Sequence, residues 1–169
     1  LALARQNPGA AVLGVDISQD LVEVAKGRAA DLANASFIEA DAAAWRDPGF
    51  AADLVVSRHG VMFFVDPVAA FANIRAAAAE GGRLVFSCFR TAGENAWAAG
   101  LAELLGLPPS VNPRAAGPFA FAETTHVENI LSSAGWQGIA FEAVDFAYVC
   151  GTGEDPVEDA LDLFRRIGP

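Results

Sequence analysis

The chain has 169 residues, of which 53% are hydrophobic and 19% charged, as is typical of a single globular domain with a buried core. Its 11 basic and 21 acidic residues give a formal net charge of −10, which repels nucleic-acid phosphates and anionic membrane surfaces. No apolar run approaches the roughly 18 residues of a membrane helix, and the N-terminus lacks a secretory-signal pattern. We therefore predict one domain over residues 1–169, located in the cytoplasm, without nucleic-acid or membrane partners.

The two cysteines, Cys88 and Cys150, lie far apart in apolar, strand-like surroundings. They show neither the repeated pattern of a disulfide framework nor the spacing of metal ligands. We predict that both are reduced thiols, as is usual in the cytoplasm, and that the chain holds no metal.

The first third of the chain alternates between helical and apolar segments. Residues 1–6 have the composition of a helix end, which Asn7-Pro8-Gly9 closes before an apolar run predicts a buried strand. Ser18 and Asp20 are typical caps of a following helix. The predicted elements are a helix over 1–6, a strand over 11–15, a helix over 20–32, and strands over 35–41 and 53–57.

The rest of the chain continues this alternation. Asp66-Pro67 favours a helix start, because aspartate caps and proline fits the first turn, and Gly81-Gly82 is expected to end that helix. Alternating apolar and polar residues over 139–149 predict a strand with one wetter face. The predicted elements are a helix over 66–80, a strand over 83–89, helices over 94–105 and 125–134, a strand over 139–149 and a helix over 155–167.

Strands that are almost wholly apolar and separated by helices indicate a parallel sheet that is covered on both faces. We therefore predict an α/β fold with a Rossmann-like, mostly parallel sheet and helices on both faces. In such a sheet, ligands bind outside the carboxyl ends of the strands, near the point where the strand order reverses. Three predicted strand ends carry polar side chains, namely Asp16, Asp41 and the pair Ser57-Arg58.

The two aspartates predict an adenosine-containing ligand. Asp16 ends the first strand, where a carboxylate can accept hydrogen bonds from both hydroxyls of a ribose. Asp41, together with the Ala42 backbone, could contact the exocyclic amine and a ring nitrogen of adenine. The simpler alternative is that the strands end in polar caps, and some nicotinamide-dependent dehydrogenases also carry both carboxylates.

Four segments follow one another in the first half of the chain. They are Gly14-Val-Asp-Ile-Ser18, Glu39-Ala-Asp41, Asp53-Leu-Val-Val-Ser-Arg-His-Gly-Val-Met-Phe-Phe64 with Asp66-Pro67, and Gly81-Gly-Arg-Leu-Val-Phe86. In order and spacing they resemble the class I S-adenosylmethionine-dependent methyltransferases, especially small-molecule enzymes close to the ubiquinone and menaquinone biosynthesis type. The resemblance implies transfer of a methyl group from S-adenosylmethionine to a small-molecule acceptor.

The resemblance also implies a role for each polar strand end. Asp16 would bind the ribose, Ile17 would pack on adenine, Asp41 and Ala42 would reach the adenine edge, and Ser57 and Arg58 would lie beside the methionine moiety. Three of these residues have simpler alternatives. Ile17 could belong to the core, Ser57 could satisfy only backbone groups, and Arg58 could form a surface ion pair.

The family's first strand and glycine-rich loop, which would precede the helix that ends at Gln6, have no counterpart in the chain. In the family, that strand lies between the strands that here end at Asp16 and Ser57, so we expect two unpaired inner edges. The family's seventh strand has no candidate either. We expect a sheet that is incomplete at the N-terminus and the C-terminus, as in a fragment, or one that a partner chain completes, such as a homo-oligomer formed through the unpaired edges.

His59, just past the third predicted strand, is the histidine nearest the expected pocket and could deprotonate a methyl acceptor. The alternative is a structural histidine in a strand-end loop. Several aromatic residues could line an apolar acceptor site, unless they belong to the core. They are Phe63, Phe64, Trp97, Phe119 and Phe121.

Two other functions compete with methyl transfer. A nicotinamide-dependent short-chain dehydrogenase needs a tyrosine and a lysine four residues apart, whereas the single tyrosine, Tyr148, lies far from the single lysine, Lys26. A non-catalytic protein that uses a degenerate methyltransferase fold for assembly is the second alternative. The missing glycine-rich loop favours it.

Overall fold

The structure is a computed structural model that describes residues 1–106, 108, 112–147 and 149–167. The chain forms two compact units, Leu1–Ile139 and Ala140–Pro169. The single domain predicted over residues 1–169 therefore stays a prediction. Among the helices that the structure describes, none combines the length and the apolar character that a bilayer crossing requires.

The first unit begins with a pair of parallel strands. Helix α1 (Ala2–Gln6) precedes strand β1 (Val12–Asp16), and helix α2 (Gln19–Arg28) connects it to strand β2 (Ala35–Glu39). The strands pair in register from Val12 opposite Ala35 to Asp16 opposite Glu39. The Ser18 Oγ accepts a hydrogen bond from Leu21 N–H and caps α2, as its position predicts.

A second parallel pair follows, with strand β3 (Ala52–Arg58), helix α3 (Pro67–Ala76) and strand β4 (Ala78–Ser87). The expectation that Gly81-Gly82 ends the helix is wrong, because α3 ends earlier and both glycines lie inside β4. The register shifts between Ala52 and Leu54, and a Cβ on Gly82 would lie 2.7 Å from the Ala52 carbonyl oxygen. The glycine therefore permits a close backbone approach within the sheet.

The remaining elements are mostly helical. Short 3₁₀ helices span Val61–Phe63 and Ala92–Glu94, followed by α4 (Ala96–Leu105) and α5 (Thr124–Ser133), and the second unit contains α6 (Pro156–Ile167). The predicted strand over 139–149 is wrong, because its described residues, 139–147 and 149, form no strand. Alternating polarity alone does not make a strand when no neighbouring strand supplies a hydrogen-bonded ladder.

The core of the first unit lies between β3–β4 and the helices α3 and α5. Phe71, Met62 and Val127 are its largest fully buried side chains. Phe71 contacts three other aromatic rings, and its carbonyl oxygen accepts a hydrogen bond from Trp136 Nε1 at 3.1 Å. Cys88 packs against this cluster as a free thiol, and burial raises its pKa.

The described residues cover only one face of the β3–β4 pair. Val55 and Leu84 point into the core, whereas Leu54, Val56 and Val85 on the opposite face are 47%, 48% and 48% exposed. A parallel sheet normally has both faces covered. The α/β class and the parallel strands are as predicted, but this pair carries a bare apolar face.

β1 pairs only with β2, and β3 only with β4, in the part of the chain that the structure describes. Successive strand residues point their N–H and C=O groups to alternate sides. Val12 N–H donates to Asn34 O, so residues 13 and 15 face away from β2. Within the described residues, β1 and β3 each therefore have one unpaired edge, as the sequence predicts, and the pairing of these edges with a second copy stays a prediction.

The same alternation separates two adjacent valines of β3. His59 N–H donates to Ser87 O, so Val55 bonds to β4 whereas Val56 points its N–H to the open edge. Val56→Pro is therefore expected to lower the free energy of unfolding by less than about 1 kcal/mol, and Val55→Pro by about 3 kcal/mol or more.

Urea denaturation would measure both variants. Val55→Ala serves as the control, because it removes packing without removing the N–H donor. Equal losses for the two proline variants would contradict the assignment of the open edge.

Candidate functional site

Two aspartates meet at the carboxyl ends of β1 and β2. Asp16 pairs with Glu39, and the Asp16 carbonyl oxygen accepts a hydrogen bond from Ala40 N–H at 2.9 Å. Asp41 follows directly, so both carboxylates lie at the same edge of the sheet. Both side chains are exposed. This is the juxtaposition that the adenosine hypothesis requires.

Asp16 closes the turn from β1 into α2 with only one of its carboxylate oxygens. Its Oδ1 accepts a hydrogen bond from Ser18 N–H at 2.8 Å. Among the described residues, Oδ2 has no partner, so it can accept from a ligand. Ile17 lies between these residues and is 73% exposed. The alternative that Ile17 belongs to the core is therefore wrong, and its side chain presents an apolar surface beside the carboxylate.

A tight turn follows β2 and presents Asp41 and Ala42. Asp41 Oδ1 accepts from Ala43 N–H at 2.8 Å, and the Asp41 carbonyl oxygen accepts from Trp45 N–H at 2.7 Å. The Asn73 Nδ2, on α3, donates to the carbonyl oxygens of Ala42 and Trp45 at 3.1 and 3.0 Å. In the described part of the chain, these bonds leave Asp41 Oδ2 and Ala42 N–H without a partner. One is an acceptor and the other a donor.

Ser57, Arg58 and His59 lie at the carboxyl end of β3. Arg58 is exposed and forms no ion pair within the described residues, and Ser57 Oγ bonds to no backbone group there. The two simpler alternatives for these residues are therefore not realised. His59 has a φ of 54°, a left-handed conformation that few non-glycine residues adopt and that often marks a functional site.

The imidazole of His59 stacks on Phe89, with ring centroids 4.2 Å apart. Partial burial, together with the Arg58 guanidinium beside it, lowers the pKa of His59 below its ordinary value of about 6.5. The ring is therefore neutral at neutral pH and can accept a proton. This state is the one that a general base needs.

Phe89 connects His59 to two further rings. Its centroid lies 5.7 Å from that of Trp97 and 6.1 Å from that of Phe119, and the Trp97 and Phe119 rings stack at 5.9 Å. All four side chains are half-buried. We call His59, Phe89, Trp97 and Phe119 the aromatic group.

The aromatic residues singled out in the sequence divide into three sets. Trp97 and Phe119 belong to the aromatic group, at the carboxyl side of β3 and β4. Phe121 is only 4% exposed in the core, so the acceptor-lining role expected for it is wrong, whereas Phe64 is half-buried and packs against the same core. Phe63 is 53% exposed. Packing against the core, rather than spacing along the chain, separates these sets.

The structure brings the candidate residues together in two groups. Asp16, Ile17, Asp41 and Ala42 lie at the end of the first strand pair, and Ser57, Arg58 and His59 at the end of the second. No backbone hydrogen bond joins the two pairs within the described residues. Phe89 and Asn73 also belong to these groups, although the sequence does not predict a role for either of them. A lone amide within the apolar run of α3 is the signal that could have identified Asn73.

Residues 1–82 match a family model described as a methyltransferase domain. Among solved structures, the cyclase SpnF matches 79% of the chain at 19% sequence identity, with a TM-score of 0.57. The trans-methyltransferase CalH, in complex with SAH, matches 79% of the chain at 20% identity, with a TM-score of 0.53. The StiE O-MT shares 28% identity over 53% of the chain, with a TM-score of 0.48. No curated protein matches the sequence.

The chain spans less than half the length of these structures, namely 33% of the StiE chain, 45% of SpnF and 46% of CalH. Neither the family match nor these structures support the dehydrogenase alternative, and its Tyr148 lies outside the described residues. The likeness to SpnF and CalH shows the fold. Residues 1–82 therefore match a methyltransferase domain, and the chain has the class I S-adenosylmethionine-dependent methyltransferase fold.

Proposed function

We propose that the chain binds S-adenosylmethionine and transfers its methyl group to a small-molecule acceptor. The observation that carries this proposal is the pair of carboxylates at neighbouring strand ends, Asp16 and Asp41, with the exposed Ile17 beside them. This arrangement suits adenosine. It offers acceptors for the ribose diol, an acceptor and a donor for the edge of the base, and an apolar surface for the face of the base. The methyltransferase domain match over residues 1–82 supports the choice of cofactor.

Each group takes a defined part of the cofactor. Asp16 Oδ2 would accept from the ribose hydroxyls, Ile17 would pack on the adenine face, and Asp41 Oδ2 and Ala42 N–H would pair with the adenine edge. Ser57 and Arg58, at the end of β3, would lie beside the methionine moiety. When bound, S-adenosylmethionine supplies an electrophilic methyl group on a sulfonium centre.

The chain's own contribution to catalysis is mainly alignment of the two reactants and exclusion of water. The aromatic group would form one apolar wall of the acceptor site. Within that wall, the neutral imidazole of His59 would take the proton that an acceptor hydroxyl, amine or thiol releases as it attacks. The partner is thus a small molecule rather than a nucleic acid or a membrane, in keeping with the net charge of −10. We also propose a cytoplasmic location, which the free thiol of Cys88 supports.

The protonation of His59 can be checked directly. Its NMR titration midpoint is expected below about pH 6.5, and Arg58→Gln is expected to raise that midpoint because it removes a neighbouring positive charge. Since the folded-state pKa is depressed, the stability contributed by neutral His59 is present above about pH 6.5 and is lost as the pH falls through the folded-state pKa. His126→Gln assigns the two histidine signals. A midpoint at or above about 6.5 in the native chain would contradict the lowering of the His59 pKa by burial and Arg58.

The proposed function itself is tested in two steps. Calorimetry of the chain with S-adenosylhomocysteine (SAH), the demethylated product, should show binding. Methyl-labelled S-adenosylmethionine, incubated with a pool of small phenols, carboxylic acids, amines and thiols, should then yield a labelled product. Because SpnF is a cyclase with this fold, binding without methyl transfer would favour another activity or a non-catalytic role. Absence of binding would refute the proposal.

A further inference from the structure

Asn73 is the polar side chain that the described core buries, with 7% of its surface exposed. It lies on α3, which follows β3 and packs against β4 and α5. Yet both of its Nδ2 hydrogen bonds reach the turn after β2, which belongs to the other strand pair. A buried amide placed in an apolar helix costs free energy unless its partners compensate. These two hydrogen bonds compensate the buried amide, and they fix the turn after β2 in place.

The two bonds fix one peptide unit from both sides. Asn73 Nδ2 donates to the Ala42 carbonyl oxygen at 3.1 Å, while the N–H of the same peptide, on Ala43, donates to Asp41 Oδ1 at 2.8 Å. The second Nδ2 bond, to the Trp45 carbonyl oxygen at 3.0 Å, ties the end of the turn to the same amide. The orientation of the Asp41 carboxylate therefore depends on Asn73, because Asn73 fixes the Ala42–Ala43 peptide to which this carboxylate is hydrogen-bonded.

We propose that Asn73 is a positioning residue that sets the preference of the site for adenine over other bases. It holds the turn so that Asp41 Oδ2, an acceptor, and Ala42 N–H, a donor, face the base edge together. Adenine offers the complementary pair, an exocyclic amine that donates and a ring nitrogen that accepts. Hypoxanthine offers the reverse pair at the same positions. This inference rests on the proposed binding of S-adenosylmethionine.

The test compares two ligands that differ only at the base edge, SAH and S-inosylhomocysteine. The native chain is expected to bind SAH about tenfold or more tightly than the inosine analogue, since reversed donors and acceptors leave both sides unpaired. Asn73→Leu, which keeps the volume but removes the donors, is expected to bring that ratio close to one. Binding of the inosine analogue itself should remain, because both ligands share the ribose.

Asn34 provides a matched control. Its Nδ2 also donates to backbone carbonyl oxygens, those of Ala4, Asn7 and Ala10, but these lie at the opposite end of β1. Asn34→Leu is therefore expected to lower stability while leaving the ratio of affinities unchanged. Should Asn73→Leu not fold, Asn73→Ala offers a second variant that removes the donors with a smaller side chain.

The outcomes separate this inference from the function on which it rests. An unchanged ratio in the folded Asn73 variants, or an equal fall in Asn34→Leu, would overturn the positioning role while leaving cofactor binding in place. Failure of the native chain to bind either ligand would refute the proposed function, and the role of Asn73 with it. A native chain that binds both ligands equally would show that the turn does not select the base.

Discussion

Replacing Asp16 with alanine is expected to weaken the binding of SAH by about 30- to 150-fold. The Asp16 carboxylate would accept charge-assisted hydrogen bonds from the ribose hydroxyls, and losing them costs about 2–3 kcal/mol in binding free energy. The side chain is exposed, so the native chain pays little to desolvate it before the ligand arrives. Isothermal titration calorimetry of the native chain and the variant would measure the difference.

Asp16→Asn separates the ribose contact from the local turn. Asparagine keeps an oxygen that can accept from Ser18 N–H, so the turn into α2 survives, while the charge is lost. We expect an intermediate loss of affinity for this variant. Asp31→Ala, between the end of α2 and the amino end of β2, removes one negative charge at the opposite end of the strand pair and should leave the affinity nearly unchanged. Full affinity in Asp16→Ala would contradict the assignment of the ribose site.

Replacing Phe71 with alanine is expected to lower the free energy of unfolding by about 3–5 kcal/mol, through lost burial and the cavity that remains. Phe71 is 0% exposed and its ring centroid lies 5.6–6.0 Å from those of Phe64, Phe86 and Phe121. A loss of this size is a large part of the about 5–15 kcal/mol that stabilises a typical domain. Urea denaturation followed by tryptophan fluorescence would measure it.

Phe63→Ala is the matched control, because Phe63 has the same side chain but is 53% exposed. Its loss is expected to be within about 1 kcal/mol. Similar losses for the two variants would mean that the core is not centred on Phe71. A small loss for Phe63→Ala would also indicate that the Phe63 side chain contributes little to stability and is available to contact a ligand.

Local sequence patterns predict the parallel strands and the strand-end carboxylates correctly because both depend on nearby residues. Apolar runs locate β1 to β4, and a polar residue after such a run marks its carboxyl end, as for Asp16 and Asp41. The helix end at Gly81-Gly82 is wrong because the register shift in β4 needs glycines inside the strand. A glycine pair is common both at the end of a helix and at a bulge within a strand. Only the pairing with a neighbouring strand distinguishes the two.

The second half of the site depends on contacts between distant segments, which no local pattern records. The φ of 54° at His59 and its stacking on Phe89 arise where β3 and β4 end side by side. Likewise, Asn73 stands about 30 residues away from the turn that it holds. The sequence identifies His59 by residue type and position alone. Its neutral state and its aromatic neighbour follow only from the packing around it.

In the part of the chain that the structure describes, no hydrogen-bonded ladder joins the two strand pairs. A bound nucleoside cofactor would therefore affect the stability of this protein as well as its chemistry. A molecule held at one end by Asp16 and at the other by Ser57 and Arg58 would act as a cross-brace between β1 and β3. At a concentration a hundred times its dissociation constant, such a ligand adds about 2.7 kcal/mol to the stability of the state that binds it. The cofactor would thus have two roles, because the contacts that hold it for methyl transfer would also stabilise the folded chain.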